Sequence, residues 1–311
     1  MAIVFKDLPD EELIYGQKSC QGCGALLAGR LAMKVLGKKT VLATPACCFA
    51  ATTSVYPESA IFVNNVVTAF PALASTLAGM SVGGEALGWD DDITYVGIGG
   101  DGGTLDIGLQ ALSGAVERND NILYICYDNE AYMNTGVQRS GSTPYGASTT
   151  TTPVGSCSKG CDNTFKKSLF EIMAAHRIPY VATASTSYPK DFMEKVAKAK
   201  AIKGAKVIHI MAPCPTGWGY PAEKTIEIGK LAVECGLWYL AEYQDGKYTI
   251  NEPKSFKPVE TYLKAQKRFK HLKEEDFLPN YSSIAFANCL ISSSAFSEKS
   301  LAFLFSHITA V

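Results

Sequence analysis

Charge imbalance is almost absent from this 311-residue chain: 29 Lys and Arg stand against 30 Asp and Glu, for a net charge of −1 and a pI near 6.4. That balance argues against a nucleic-acid or anionic-membrane partner. No stretch reaches the ~18 uninterrupted apolar residues of a membrane span. The first residues, Met1 to Asp10, lack a basic region followed by a long apolar run, so they do not read as a secretory signal. A cytoplasmic protein is expected. Histidine is scarce as well: His176, His209, His271 and His307 are scattered, none is assigned a catalytic role, and His209 falls mid-strand as a core residue.

Cysteine is not scarce. Ten of them in a cytoplasmic chain need a reason, because disulfides are disfavoured there. Cys126, Cys235 and Cys289 lie in contexts that suit small buried hydrophobes. Cys20 and Cys23, in Cys20-Gln-Gly-Cys23-Gly24, and Cys214, in Pro213-Cys214-Pro215, sit instead among turn residues. The close pair admits three readings: a thioredoxin-like redox pair, a structural zinc site, or part of an iron–sulfur cluster. A cluster needs four thiolates; Cys47 or Cys48, just after an expected strand, offers the third and Cys214 the fourth.

Hydrophobic content of 47% and charged content of 19% describe an ordinary globular chain, and β-rich runs alternate with helical patterns, so a mostly parallel α/β sheet with helices on both faces is expected. Strands are expected at 40–44, 93–98, 122–127, 180–183 and 206–211. Helices are expected at 24–36, 68–86, 105–118, 164–175, 189–201 and 222–240. Residues 136–163 form a long Ser/Thr/Gly-rich loop, and loops of that length are commonly functional or mobile. Residues 1–225 read as the principal domain, 226–275 as its C-terminal extension, and 276–311 as a tail.

The run Gly99-Gly100-Asp101-Gly102-Gly103 follows one expected strand, and Asp128-Asn129 ends the next. Open α/β sheets bind ligands beyond the carboxyl ends of their strands. Glycines there admit a phosphate close to the backbone, and a helix starting near Thr104 turns its N–H groups toward it. Asp101 supplies a hard oxygen for Mg²⁺, Asn129 a neutral amide oxygen, and Ala131 a backbone carbonyl. No Gly-Lys-Ser/Thr follows, which excludes a P-loop, and the glycine spacing does not match a dinucleotide fingerprint.

Four segments together, Cys20 to Gly24, Gly100 to Gln110, Asp128 to Gly146 and Ala212 to Trp218, closely resemble the β subunit of pyruvate:ferredoxin oxidoreductase (pyruvate synthase), of the 2-oxoacid:ferredoxin oxidoreductase family. The likeness runs from about residue 16 to about residue 270. It implies a thiamine diphosphate (TPP)-binding fold, with one [4Fe–4S] cluster held by Cys20, Cys23, Cys48 and Cys214. Cys48 rather than Cys47 is carried over because Cys48-x-x-x-Thr52-Thr53-x-x-Tyr56-Pro57 matches the family pattern. The resemblance gives Asp101, Asn129 and the Ala131 carbonyl to Mg²⁺. It sets Gly100, Gly102, Gly103 and Thr135 around the cofactor, and Asn134 beside the thiazolium and substrate as the catalytic polar group.

The implied reaction is oxidative decarboxylation of a small 2-oxoacid, with electrons leaving singly through the cluster and the acyl group passing to coenzyme A. The implied partners are an α subunit that completes the TPP site and carries the activating glutamate, γ/δ-type subunits with further clusters, and ferredoxin. This chain alone should be inactive. Three departures stand out. Pro45-Ala46-Cys47-Cys48-Phe49-Ala50 differs from the usual sequence near the cofactor, which leaves oxalate or another 2-oxoacid open as substrate. Cys157 and Cys161 match no family role, and the tail after about residue 275 does not follow the family's ending.

Overall fold

The computed structural model describes residues 8–9, 12–57, 59–89, 93–253, 255–273 and 276, so the expected tail after Asp276, with Cys289 and His307, lies outside the described residues. Along the chain the elements are α1 (Gly24–Leu36), β1 (Thr40–Pro45), α2 (Cys48–Thr53), β2 (Asn64–Thr68), α3 (Leu73–Ala86), β3 (Thr94–Gly100), α4 (Leu109–Glu117), β4 (Leu123–Asp128) and α5 (Leu169–Ala175). There follow β5 (Tyr180–Ser185), α6 (Pro189–Ala201), β6 (Lys206–Met211), α7 (Pro215–Trp218), α8 (Thr225–Glu234), β7 (Leu240–Gln244), β8 (Lys247–Asn251) and α9 (Val259–Lys264).

The strands make one sheet in the order β2-β1-β3-β4-β6-β5-β7-β8. The first six are parallel, and β7 and β8 close one edge as an antiparallel hairpin. Parallel strands covered on both faces read as continuous apolar runs, as Ile122 to Tyr127 does. Their side chains still alternate. Leu123, Ile125 and Tyr127 of β4 join the core under α1 and α6, whereas Tyr124 and Cys126 join the core under α3, α4 and α5. A third apolar cluster gathers Trp218, Tyr220, α8 and α9 beyond the sheet's carboxyl edge.

Helices α1 and α6 and strand β6 occupy the expected residues. Elsewhere the boundaries differ for physical reasons. The expected helix 68–86 starts only at Leu73, because β2 runs to Thr68 and Pro71 sits in a short 3₁₀ turn before it. Helical backbone after β3 begins at Asp101 itself, not near Thr104 or at 105, and passes through a wide π-type turn at Gly103–Ile107 before α4. Such wide turns concentrate at functional sites. The helix expected over 164–175 starts at Leu169, where Ser168 Oγ caps it by accepting from the Glu171 amide at 3.3 Å. The one expected over 222–240 ends at Glu234; Gly236 turns the chain at φ 73°, and β7 follows.

Register decides what meets at the carboxyl edge. Gly100 of β3 lies beside Tyr127 of β4, and Asp128 beside Met211 of β6. Four neighbouring strands, β1, β3, β4 and β6, therefore end together. The residues that follow them are Cys47 and Cys48, Asp101, Asn129, and Cys214.

Candidate active site

Asp101 is 1% exposed, and Ser140 Oγ donates to its Oδ2 at 2.5 Å. Burial, then the nearby Asp128 carboxylate, pushes its carboxyl well above the usual range. One end of the Asn129 side-chain amide lies 2.9 Å from the Ala131 carbonyl oxygen and 3.0 Å from Asp101 Oδ1. With nitrogen at that end, the amide donates two hydrogen bonds; with oxygen there, it stands about 3 Å from each of two further oxygens. An octahedral Mg²⁺ at ~2.1 Å from each ligand holds neighbouring oxygens about 3.0 Å apart. The spacing fits a hard cation, and the amide can present either end.

The turn that carries these ligands is fixed from several sides. Glu130 adopts a positive φ of 66°. Its amide donates to Asp128 Oδ1 at 2.9 Å, and its carbonyl accepts from Thr143 Oγ1 at 2.8 Å. Trp218 Nε1 donates to the Asn129 carbonyl at 2.8 Å. Lys166 Nζ lies 2.7 Å from Asp128 Oδ2 and 2.8 Å from Glu130 Oε1. Burial by itself would raise Asp128; the Lys166 ammonium and the His209 hydrogen bond override it and hold Asp128 below the ordinary carboxylate range. The same pair of carboxylates outweighs burial at Lys166 and raises its pKa. His209, which burial keeps neutral, donates through Nε2 to Asp128 at 2.8 Å.

Two segments thus return to the site: Ser140, Ser142 and Thr143 of the long loop bond Asp101, Asp128 and the Glu130 carbonyl, and Lys166, just beyond that loop, pairs with both neighbouring acids. Sequence reasoning missed those hydroxyls, and Lys166, Trp218 and Arg268 with them. The unusual length of the Ser/Thr-rich loop signalled the hydroxyls; nothing in the sequence pattern signalled the roles of Lys166, Trp218 and Arg268.

A cavity of about 470 Å³ opens over this edge, lined by Cys48, Gly100 to Gly103, Asn129, Ala131, Asn134 and Thr135 among the expected residues. Asn134 and Thr135 are exposed at its mouth, where Thr135 Oγ1 bonds Gln138. Ala46, Ala50, Ala51, Val55, Val67, Phe70 and Met133 give much of the remaining wall an apolar character. No room is left at Gly102 for a larger residue, since a Cβ there would lie 2.5 Å from the Tyr132 ring.

The expected thiols gather beside this cavity. Cys23 caps α1, its Sγ accepting from the Leu26 amide at 3.5 Å; Cys214 caps α7, accepting from Gly217 at 3.3 Å; Cys48 opens α2. The Gly24 amide donates to the Pro213 carbonyl at 3.2 Å, which draws the Cys20–Cys23 loop onto the Cys214 loop. A Cβ on Gly24 would sit 2.6 Å from the Ala212 carbonyl carbon, so only glycine permits this approach. Burial, then its neighbours Cys214, Cys47 and Cys23, pushes the Cys48 thiol up to about 12. Burial, with Cys23 and Cys20, pushes Cys214 up to about 11 despite the Gly217 N–H.

These thiols raise one another because they share a small volume with no counter-charge, and a thiolate-bound metal reverses that effect. Among the described residues no three His, Cys, Asp or Glu side chains stand close enough to grip a single ion. Every cysteine among the described residues is a free thiol. Four soft thiols, those of Cys20, Cys23, Cys48 and Cys214, are the donor number a cluster requires. Cys126 and Cys235 are buried as expected; Cys161 is buried and Cys157 exposed.

Comparison with known proteins follows this geometry. Residues 48–210, just over half of the chain, match the family described as "Thiamine pyrophosphate enzyme, C-terminal TPP binding domain", and the chain belongs to that class of TPP-binding domains. More narrowly, it is 55% identical to pyruvate synthase subunit PorB of Methanothermobacter thermautotrophicus over 270 residues, 86% of this chain and 93% of that protein. It is 50% identical to ketoisovalerate oxidoreductase subunit VorB of Pyrococcus abyssi over 277 residues, 86% and 89% of the two chains. The chain belongs to this family of oxidoreductase β subunits. A solved 2-oxoglutarate:ferredoxin oxidoreductase from Magnetococcus marinus shares the fold, with a TM-score of 0.54 at 20% identity over 83% of this chain and 88% of that one. No helix among the described residues is long and apolar enough to cross a membrane.

Proposed function

We propose that this chain is the β subunit of a cytoplasmic 2-oxoacid:ferredoxin oxidoreductase that decarboxylates pyruvate oxidatively, with TPP, Mg²⁺ and one [4Fe–4S] cluster. The observation that carries the reading is the close approach of the Asp101 carboxylate, the Asn129 amide and the Ala131 carbonyl beside the cysteine-bearing loops at the same sheet edge. Asp101, the Asn129 amide and the Ala131 carbonyl would hold Mg²⁺ on the diphosphate. Cys20, Cys23, Cys48 and Cys214 would hold the cluster. When bound, TPP supplies an electron sink at the 2-oxo carbon and the cluster a one-electron acceptor.

This chain's own part is positional. Gly102 and Gly103 let the diphosphate lie against backbone, Asn134 offers a polar group at the mouth of the cavity, and Ala46, Ala50 and Val55 give the acyl group an apolar wall. The described residues offer no carboxylate in this cavity besides Asp101, and a partner α subunit supplies the activating glutamate. Subunits of γ and δ type with further clusters, ferredoxin and coenzyme A complete the assembly.

The small side chains of α2 along the cavity, together with comparable identity to PorB and VorB chains, favour a branched 2-oxoacid as the second reading. Oxalate is a third substrate, and would make coenzyme A unnecessary. The test is the whole complex assayed with pyruvate, 2-oxoisovalerate, 2-oxoglutarate and oxalate, with and without coenzyme A, using viologen as acceptor. Acceptor reduction that requires TPP, a 2-oxoacid and the partner chains is expected. Turnover by this chain alone, or decarboxylation with no acceptor reduced, would overturn the proposal. Zinc without acid-labile sulfide would favour a non-redox TPP lyase.

A further inference from the structure

Arg268, in the segment after α9, lies 4% exposed and is not part of the cavity lining, yet it touches both loops that frame the site. Its Nη2 is 2.6 Å from Glu130 Oε2, and its guanidinium lies 4.0 Å over the Trp218 ring. Trp218 in turn donates to the Asn129 carbonyl, four residues after Cys214. Gln266 Oε1 accepts from Arg268 Nε at 2.8 Å, and the Tyr262 hydroxyl lies 3.2 Å from Nη2, which orients the fork from α9. The Arg268 carbonyl accepts from the Ser148 amide at 2.9 Å, so the long loop is anchored at the same point.

A planar, permanently charged guanidinium can stack on an indole and grip a carboxylate at once, which lysine cannot do. Glu130 needs that grip. It is the residue between two proposed cation ligands, and its positive φ aims the Ala131 carbonyl and the Asn129 side chain at one point. Holding a non-glycine residue in that conformation costs on the order of 1–3 kcal/mol and persists only when the surroundings enforce it.

We propose that Arg268 is a positioning residue that clamps the Asp128–Ala131 turn to the Cys214–Trp218 loop, fixing the diphosphate cation's ligands relative to the remote cysteine. The inference rests on the TPP–Mg²⁺ reading above. Removing groups that orient metal ligands from behind typically weakens metal affinity about 10- to 100-fold.

The experiment uses the assembled complex, reduced and anaerobic, and titrates Mg²⁺ at fixed TPP while following bound TPP by equilibrium dialysis. Arg268→Gln is expected to raise the Mg²⁺ concentration for half-saturation about tenfold or more. Bound TPP should recover at saturating Mg²⁺, and deuterium exchange should quicken at the 128–133 amides before cofactor is added. A general loss of folding would not recover with Mg²⁺. Trp218→Phe keeps an aromatic ring for the guanidinium but removes the indole N–H together with the pyrrole part of the ring, so it should move the half-saturation point the same way. That variant decides the matter if Arg268→Gln does not assemble. Unchanged Mg²⁺ dependence with unchanged exchange overturns the inference, whereas a wild-type complex that binds TPP without any divalent ion overturns the functional reading beneath it.

Discussion

Asp101→Asn separates two effects of one carboxylate, because the substitution keeps shape and removes charge. Without cofactor, Asp101 is buried against Asp128, and its hydrogen bond from Ser140 only partly offsets that. An amide there removes a carboxyl whose charged form burial and Asp128 disfavour, and can still bond Ser140 through its oxygen. The cofactor-free complex should be at least as stable as wild type. With cofactor the sign reverses. Asp128 is already engaged by Lys166, His209 and Ser142, so among the described residues Asp101 is the carboxylate left to the cation. At TPP and Mg²⁺ 100-fold above Kd, wild type gains about 2.7 kcal/mol. At 2–4 °C per kcal/mol, that is a Tm rise of roughly 5–10 °C. A variant bound about 100-fold more weakly gains only ~0.4 kcal/mol, or about 1 °C. Thermal scans of the assembled complex, with and without TPP and Mg²⁺, read both effects. A wild-type cofactor shift in Asp101→Asn would refute the assignment of the cation to this residue, and a large drop in the cofactor-free Tm would refute the electrostatic argument.

Two further outcomes are expected. Cys48→Ser should strip iron and acid-labile sulfide from anaerobically purified protein while Cys47→Ser retains both, since Cys48 shares its electrostatic surroundings with Cys214 and Cys23; equal retention by the two variants would remove Cys48 from the ligand set. Lys206, 3% exposed and bonded to Asn121 at 2.8 Å, is pushed down to about 8 by burial, so between about pH 8 and 10.5 the unfolded chain holds the extra proton and stability rises with pH, by on the order of 3 kcal/mol in total. Lys206→Met should be more stable at pH 7 and lose that slope, as urea midpoints at pH 7, 8 and 9.5 would register; an unchanged slope would assign it to another group.

The sequence by itself determined whatever is local or periodic. The apolar spacing of 24–36 and 189–201 gave α1 and α6, and the buried run 206–211 gave β6, because these residues meet a core through a 3.6- or 2-residue repeat. The exposed strand β2, Asn64–Thr68, shows no such repeat, and β7–β8 lies in the polar stretch just beyond the expected helix 222–240, where no strand was expected. The glycine run, Asn129 and the cysteine motifs were equally legible, since backbone approach and soft or hard ligation each demand particular residue types. Only the tertiary structure decided how those parts meet. Strand register brought four strand ends level, the Gly24–Pro213 contact joined two cysteine loops, and Arg268 reached Glu130 across 138 residues. No local pattern encodes such pairs: the carboxylate that offsets burial of Arg268 comes from a distant segment, and that delivery is a property of the folded chain.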